Sequence, residues 1–189
     1  MHIRAKKSLG QNFLIDREVL EKIVSTVEIA NKEILEIGPG SGNLTSYILK
    51  NNPKKVFVVE KDDELSLVLK EKFTNQIEII NEDVLKVSEN EISKQKLLVF
   101  GNLPYNISTE ILSKWIVNIH KEFWFESLVL MFQKEVADRI VAGSNNSKYG
   151  RLSILTDWKL NVKKIIEIQP KSFSPRPKID SPLLLFTPK

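Results

Sequence analysis

The 189-residue sequence has no cysteine and only two histidines, His2 and His120. The first absence excludes disulfides, thiolate metal sites and a cysteine nucleophile. The second leaves too little for a histidine-based metal centre or triad, so no metal is expected. Also missing is any unbroken apolar run of the length that a membrane span needs. The N-terminus carries Arg4, Lys6 and Lys7 with no apolar core after them, unlike a signal peptide. A cytoplasmic chain with no membrane association is the expectation. Its chemistry must rest on amides, carboxylates, aromatic rings or a cofactor.

What is present suits one cored domain, with 42% hydrophobic and 28% charged residues and a formal charge of +4. Basic side chains gather at the N-terminus, around Lys134, Arg139, Lys148 and Arg151, and near Lys171, Arg176 and Lys178. This grouping can form a cationic rim on one face, or simply a solvated surface.

Val19, Leu20, Ile23, Val24 and Val27 recur at helical spacing behind a capping Asp16, which predicts a helix over 16–30. Short apolar runs then alternate with helical ones. Strands are expected at 33–37, 55–60, 77–81, 97–100 and 127–132, and helices at 44–50, 63–73, 108–120 and 134–142. That order predicts an α/β fold, a mostly parallel sheet with helices on both faces. A polar loop at 144–150, a short helix at 152–158 and strands at 162–168 and 181–187 bring the sheet to seven strands. No repeat or domain boundary is visible, so 1–189 reads as a single domain.

The first strand runs into Gly38-Pro39-Gly40-Ser41-Gly42, a glycine-rich turn opening a helix. In an open α/β sheet this turn lies at the carboxyl edge, where ligands bind and glycine lets them approach the backbone. The next strand ends in Glu60, placed to hold a ribose diol, and the third in Asp83, placed to accept an adenine amino group. A dinucleotide and S-adenosylmethionine both fit this much. Pro39 inside the loop, and nothing suited to a hydride acceptor, favour the methyl donor.

The fourth strand breaks into Gly101-Asn102-Leu103-Pro104-Tyr105-Asn106. Pro104 fixes its own φ and pushes Leu103 toward extended backbone. The Asn102 amide, the Leu103 carbonyl and the Tyr105 ring can then face one small volume. Such a corner suits a flat ring bearing an exocyclic amine, whose two N–H groups an amide oxygen and a carbonyl accept while an aromatic face stacks. A plain Pro-containing turn is the alternative. Phe173, in the Pro-rich link, is a candidate second stacking face or a core residue.

Lys6-Lys7-Ser8-Leu9-Gly10-Gln11-Asn12-Phe13-Leu14, then EIGPGSGNLT, VVEKDD, EDVL, GNLPYNIS, MFQKEVADRI and Phe173-Ser174-Pro175-Arg176-Pro177-Lys178-Ile179-Asp180-Ser181, together resemble the small-subunit ribosomal RNA adenine dimethyltransferase family. The resemblance implies a Rossmann-like S-adenosylmethionine-dependent methyltransferase fold. It also implies conversion of two adjacent adenosines near the 3′ end of 16S rRNA to N6,N6-dimethyladenosine, with S-adenosylhomocysteine as by-product. The implied partner is 16S rRNA in the small ribosomal subunit or its precursor, met by a monomer.

Residue by residue, the resemblance implies that Gln11, Asn12 and Leu14, in a closing segment at 1–15, cover the donor. Gly38 and Gly40 back its amino-acid part, Glu60 with Lys61 takes the ribose, and Asp83 with backbone at Val84 takes the adenine. Asn102 lies between donor and target base, with Leu103, Pro104, Tyr105 and Phe173 completing the catalytic corner. The family usually continues into a smaller helical domain. This chain is expected to lack it and to methylate RNA less efficiently. Alternatives are a 23S rRNA adenine N6-methyltransferase, a DNA adenine methyltransferase and a non-catalytic RNA-binding ribosome-assembly factor.

Overall fold

The computed structural model describes Lys6, residues 11–119 and residues 122–189. Lys7 to Gly10 of the N-terminal motif, His2, Arg4 and the end of the expected helix at His120 lie outside the described residues. In chain order the elements are β1 (Phe13–Leu14), α1 (Arg17–Val24), β2 (Glu33–Ile37), α2 (Asn43–Leu49), β3 (Lys55–Val59), α3 (Asp63–Lys72), β4 (Glu78–Ile80) and α4 (Glu89–Ile92). They continue with β5 (Leu97–Asn102), α5 (Ser108–Val117), β6 (Phe125–Met131), α6 (Lys134–Ile140), α7 (Arg151–Lys159), β7 (Leu160–Ile168), β8 (Phe173–Ser174) and β9 (Ser181–Pro188).

Seven strands form one sheet in the order β4-β3-β2-β5-β6-β9-β7. The five from β4 to β6 are parallel, and β9 runs antiparallel to both of its neighbours. Alternation along the strands assigns the two faces. Leu35, Ile37, Leu97 and Val99 pack with α5, α6 and α7, whereas Ile34, Leu98 and Phe100 pack with α1 and α2. The inner strands are apolar on both sides because both faces are covered. The strand order reverses between β2 and β5, which opens a crevice at their carboxyl ends.

Three local differences from the sequence-based expectation have physical causes. Helix α1 stops at Val24 rather than near Ala30, because the Ser25 and Thr26 hydroxyls both donate to Lys22 O and compete with the helical ladder. Its start is as expected, with Asp16 Oδ1 accepting from Glu18 N and Val19 N. The small sheet of β1 and β8 was not foreseen, being two residues of each partner. Helix α4 was missed because four residues carry too little periodicity to read.

Candidate active site

The carboxyl ends of β2, β3, β4 and β5 border a cavity of about 200 Å³, roofed by Gln11 to Leu14. After β2 the chain turns sharply, with Gly38 N bonding back to Val59 O at 3.0 Å. Gly40 has φ +57°, and a Cβ there would lie 2.8 Å from the Phe13 ring, so the strap over the cavity sits directly on this glycine. Gly42, at φ +76°, opens α2, where a Cβ would meet Phe73 at 2.5 Å.

Glu60 is 7% exposed, and burial raises its pKa against the backbone N–H groups that bond its carboxylate. Asp62 N donates to Oε1 at 2.9 Å and Gly40 N to Oε2 at 3.2 Å, which leaves each oxygen a second lone pair. Asp83 is more open. The Lys61 ammonium, 2.7 Å from Oδ2, together with Leu85 N on Oδ1, lowers its pKa and keeps it an ionised acceptor. Glu36 also borders the cavity, and burial pushes its carboxyl up to about 8 although Thr45 Oγ1 donates to it at 2.6 Å.

The strap is fastened at several points. Asn43 Nδ2 donates to Leu14 O at 2.8 Å, Ile15 N to Ser172 O at 2.9 Å, and Ser172 Oγ to Asp16 Oδ2 at 2.8 Å. Asp62, which caps α3, accepts from Lys6 Nζ at 2.9 Å and Gln11 Nε2 at 3.0 Å. Asn102 Nδ2 donates to Asn12 O at 2.6 Å. This bond fixes which way the Asn102 amide faces and leaves its Oδ1 as the acceptor at the cavity.

Gln11, Asn12, Leu14, Gly38, Gly40, Glu60, Lys61, Asp83, Asn102 and Pro104 all reach the cavity wall. Four other expected residues do not. Val84 is 6% exposed and packs into the α5 core, between Asp83 and Leu85, which do line the cavity. Leu103 is likewise buried, at 1%, which leaves its carbonyl as the group of interest. The Tyr105 hydroxyl is tied to Ser181 Oγ at 2.6 Å, and its ring stands outside the cavity.

Phe173 requires a correction. It is 1% exposed within the core beside α1 and α2, because its β8 pairing with β1 turns the side chain inward; it offers no face to a base here. Sequence reasoning also missed Phe13, Glu36, Asn43 and Asp62. A carboxylate inside the apolar run Glu33–Ile37 was a usable signal for Glu36. Nothing in the sequence alone pairs Phe13 with Gly40 or Asp62 with Gln11.

Residues 2–189 match the family described as ribosomal RNA adenine dimethylase. The chain belongs to that family. Ribosomal RNA small subunit methyltransferase A of Pelagibacter ubique is 77% identical over 189 residues, which cover all of this chain and 72% of that protein. Among solved structures, a dimethyladenosine transferase from Plasmodium falciparum superposes with a TM-score of 0.82 at 33% identity, covering 94% of this chain and 63% of that one. The 23S rRNA methyltransferase ErmE gives 0.80 at 25% identity over 94% of this chain and 70% of its own. The fold is that of S-adenosylmethionine-dependent methyltransferases, as the sequence-based reading expected. Within this adenine dimethylase the cavity suits that donor. Gly38 and Gly40 line it together with Glu60, whose carboxylate oxygens keep lone pairs for a hydroxyl pair, and with the ionised acceptor Asp83.

Proposed function

We propose that this protein methylates N6 of two adjacent adenosines near the 3′ end of 16S rRNA, giving N6,N6-dimethyladenosine during small-subunit assembly in the cytoplasm. The observation that carries the reading is Asn102, held by Asn12 O at the lip of a carboxylate-bordered cavity at the sheet's switch point. The 77% identity to a small-subunit enzyme, against 25% to ErmE, supports 16S over 23S rRNA.

S-adenosylmethionine, when bound, supplies an electrophilic methyl group and carries positive charge. Glu60 would hold its ribose hydroxyls, Asp83 and backbone at Val84 its adenine, and Gly38 and Gly40 its amino-acid end, with Gln11, Asn12 and Leu14 closing over it.

The target adenine N6 is a poor nucleophile because its lone pair is delocalised into the ring. Asn102 Oδ1 and the Leu103 carbonyl accept the two N6–H groups before the first transfer, and one of them accepts the remaining N–H before the second, which favours the more tetrahedral nitrogen of the transition state and holds it in line for attack. Each transfer releases one N6 proton to solvent. No strongly shifted general base is required.

The test is radiolabelled methyl donor with undermethylated small subunits, and large subunits in parallel. N6,N6-dimethyladenosine in 16S rRNA is expected. Label confined to 23S rRNA, or none at high enzyme with donor bound, overturns the reading.

A further inference from the structure

The wall assigned to the adenine carries little regular secondary structure. After β4 ends at Ile80 the chain rejoins the sheet only at Leu97, and between them it forms just a 3-10 turn at Val84–Lys86 and the four-residue α4. Yet Asp83 and Leu85 in this stretch border the cavity.

One side chain on α5 holds it. Lys114 Nζ donates to Val84 O at 2.9 Å, to Val87 O at 2.5 Å and to Glu89 Oε1 at 2.8 Å. An ammonium has three donors, and all three go to this one stretch of chain. Glu89 is 6% exposed and its Oε1 also accepts from Trp115 Nε1 at 2.7 Å, so the anchor is itself fixed to α5. The cluster lies behind the wall, beside a separate cavity of about 330 Å³ that Lys114, Glu89, Trp115 and Trp124 line, and none of these four borders the donor cleft.

We propose that Lys114 is a positioning residue for the methyl donor, presetting the Asp83–Leu85 wall through Val84 O and Val87 O so that adenine meets an already ordered edge. The inference rests on the cofactor reading above. Hydrogen bonds from an ionised donor are the strong ones, and ordering the wall beforehand removes a cost that the ligand would otherwise meet on binding. Helix α5 is also the element that the Asn102 corner leads into, so the same strut sets the spacing between wall and corner. Lys114 touches no reacting atom. Its loss should therefore appear in donor affinity and not in the chemical step.

The experiment compares Lys114→Met with Glu89→Gln, reading S-adenosylhomocysteine binding by calorimetry and methyl transfer to small subunits. Both variants lose the ion pair, but Glu89→Gln keeps the lysine on its two carbonyls and an oxygen for Trp115. Lys114→Met should bind about tenfold more weakly, with kcat at saturating donor within about twofold of wild type, whereas Glu89→Gln binds within about twofold. Wild-type affinity in Lys114→Met overturns the proposal, as does an equal loss in both variants, which would make the cluster a stability device alone.

Should Lys114→Met fail to fold, amide exchange on the wild-type chain decides. The hydrogen-bonded amides of Leu85, Lys86, Val87 and Glu91 are expected to exchange slowly before ligand is added, and slow exchange appearing only with S-adenosylhomocysteine overturns presetting. A wild-type chain that binds no S-adenosylhomocysteine removes the cofactor reading itself, and this inference with it. Normal wild-type binding with an unaffected Lys114→Met variant removes only this one.

Discussion

The two halves of the cleft are built differently. On the side we assign to the donor, Gly38, Glu60 and Asp83 follow three successive parallel strands, and the polar side chains are already held by Gly40 N, Asp62 N, Leu85 N and Lys61. On the acceptor side only Asn102 and Pro104 of the expected residues reach the cavity, while Tyr105 is tied to Ser181 and Phe173 is buried. A sheet edge places donor groups by register. The acceptor groups hang on a Pro-containing turn and a long late link, and tertiary contacts alone decide where they point.

The largest expected effect separates the halves directly. Asn102→Ala removes the N6 acceptor and should cut methyl transfer by about 10² to 10³, the scale on which deleting one preorganised transition-state contact acts. Donor binding should change little by comparison. Glu60→Gln should do the reverse: an amide N–H would then face either Gly40 N or Asp62 N, and the ribose loses a charged acceptor, so binding falls about tenfold or more. Calorimetry with S-adenosylhomocysteine and single-turnover transfer on small subunits read both variants. If the two lose binding and rate in the same proportion, the division into halves is wrong.

The contrast also explains what was legible in the sequence. Glu60 and Asp83 could be placed because apolar runs mark strands, and the ends of parallel strands share one edge. The seven-strand sheet was readable for the same reason. Phe173 was not, since its orientation depends on a two-residue pairing with Phe13 and Leu14 across more than 150 positions of chain. The Asn102 amide was readable as a residue of this corner and does line the cavity, but its orientation was not readable, because the partner is a backbone carbonyl of the strap. Asp62 and Lys114 act through contacts that leave no periodic trace.

A smaller effect sharpens the account of the donor side. Burial is the main reason the Glu36 carboxyl stands at about 8, with Thr45 and Lys72 opposing and Glu60 adding to the rise. In the unfolded chain it ionises near its ordinary 4.5. Between these values the native state binds a proton that the unfolded chain has released, so this group makes stability fall as pH rises through the window, and the loss levels off above it. Glu36→Gln keeps an acceptor for Thr45 and has no proton to lose. Urea midpoints should coincide below about pH 4 and diverge toward pH 8, where linkage over this window makes the variant more stable by up to about 4 kcal/mol. Parallel curves would show Glu36 ionising as an exposed carboxylate does.

The smallest effect tests whether the strap rests on the glycine loop as the geometry has it. Alanine at position 40 must hold a φ of +57° and place its Cβ 2.8 Å from the Phe13 ring. The backbone strain alone costs about 1 kcal/mol. The clash is relieved more cheaply by moving the Phe13 ring than by moving the loop, because the strap's β1 pairing is only two residues long whereas Gly40 N is tied to Glu60. Gly40→Ala should therefore lower stability by about 1 to 2 kcal/mol and speed amide exchange at Phe13 and Leu14, with Asn102 left free to rotate once Asn12 O shifts. Unchanged exchange in the strap with a full loss of stability would place the strain in the loop and detach the roof from the donor side.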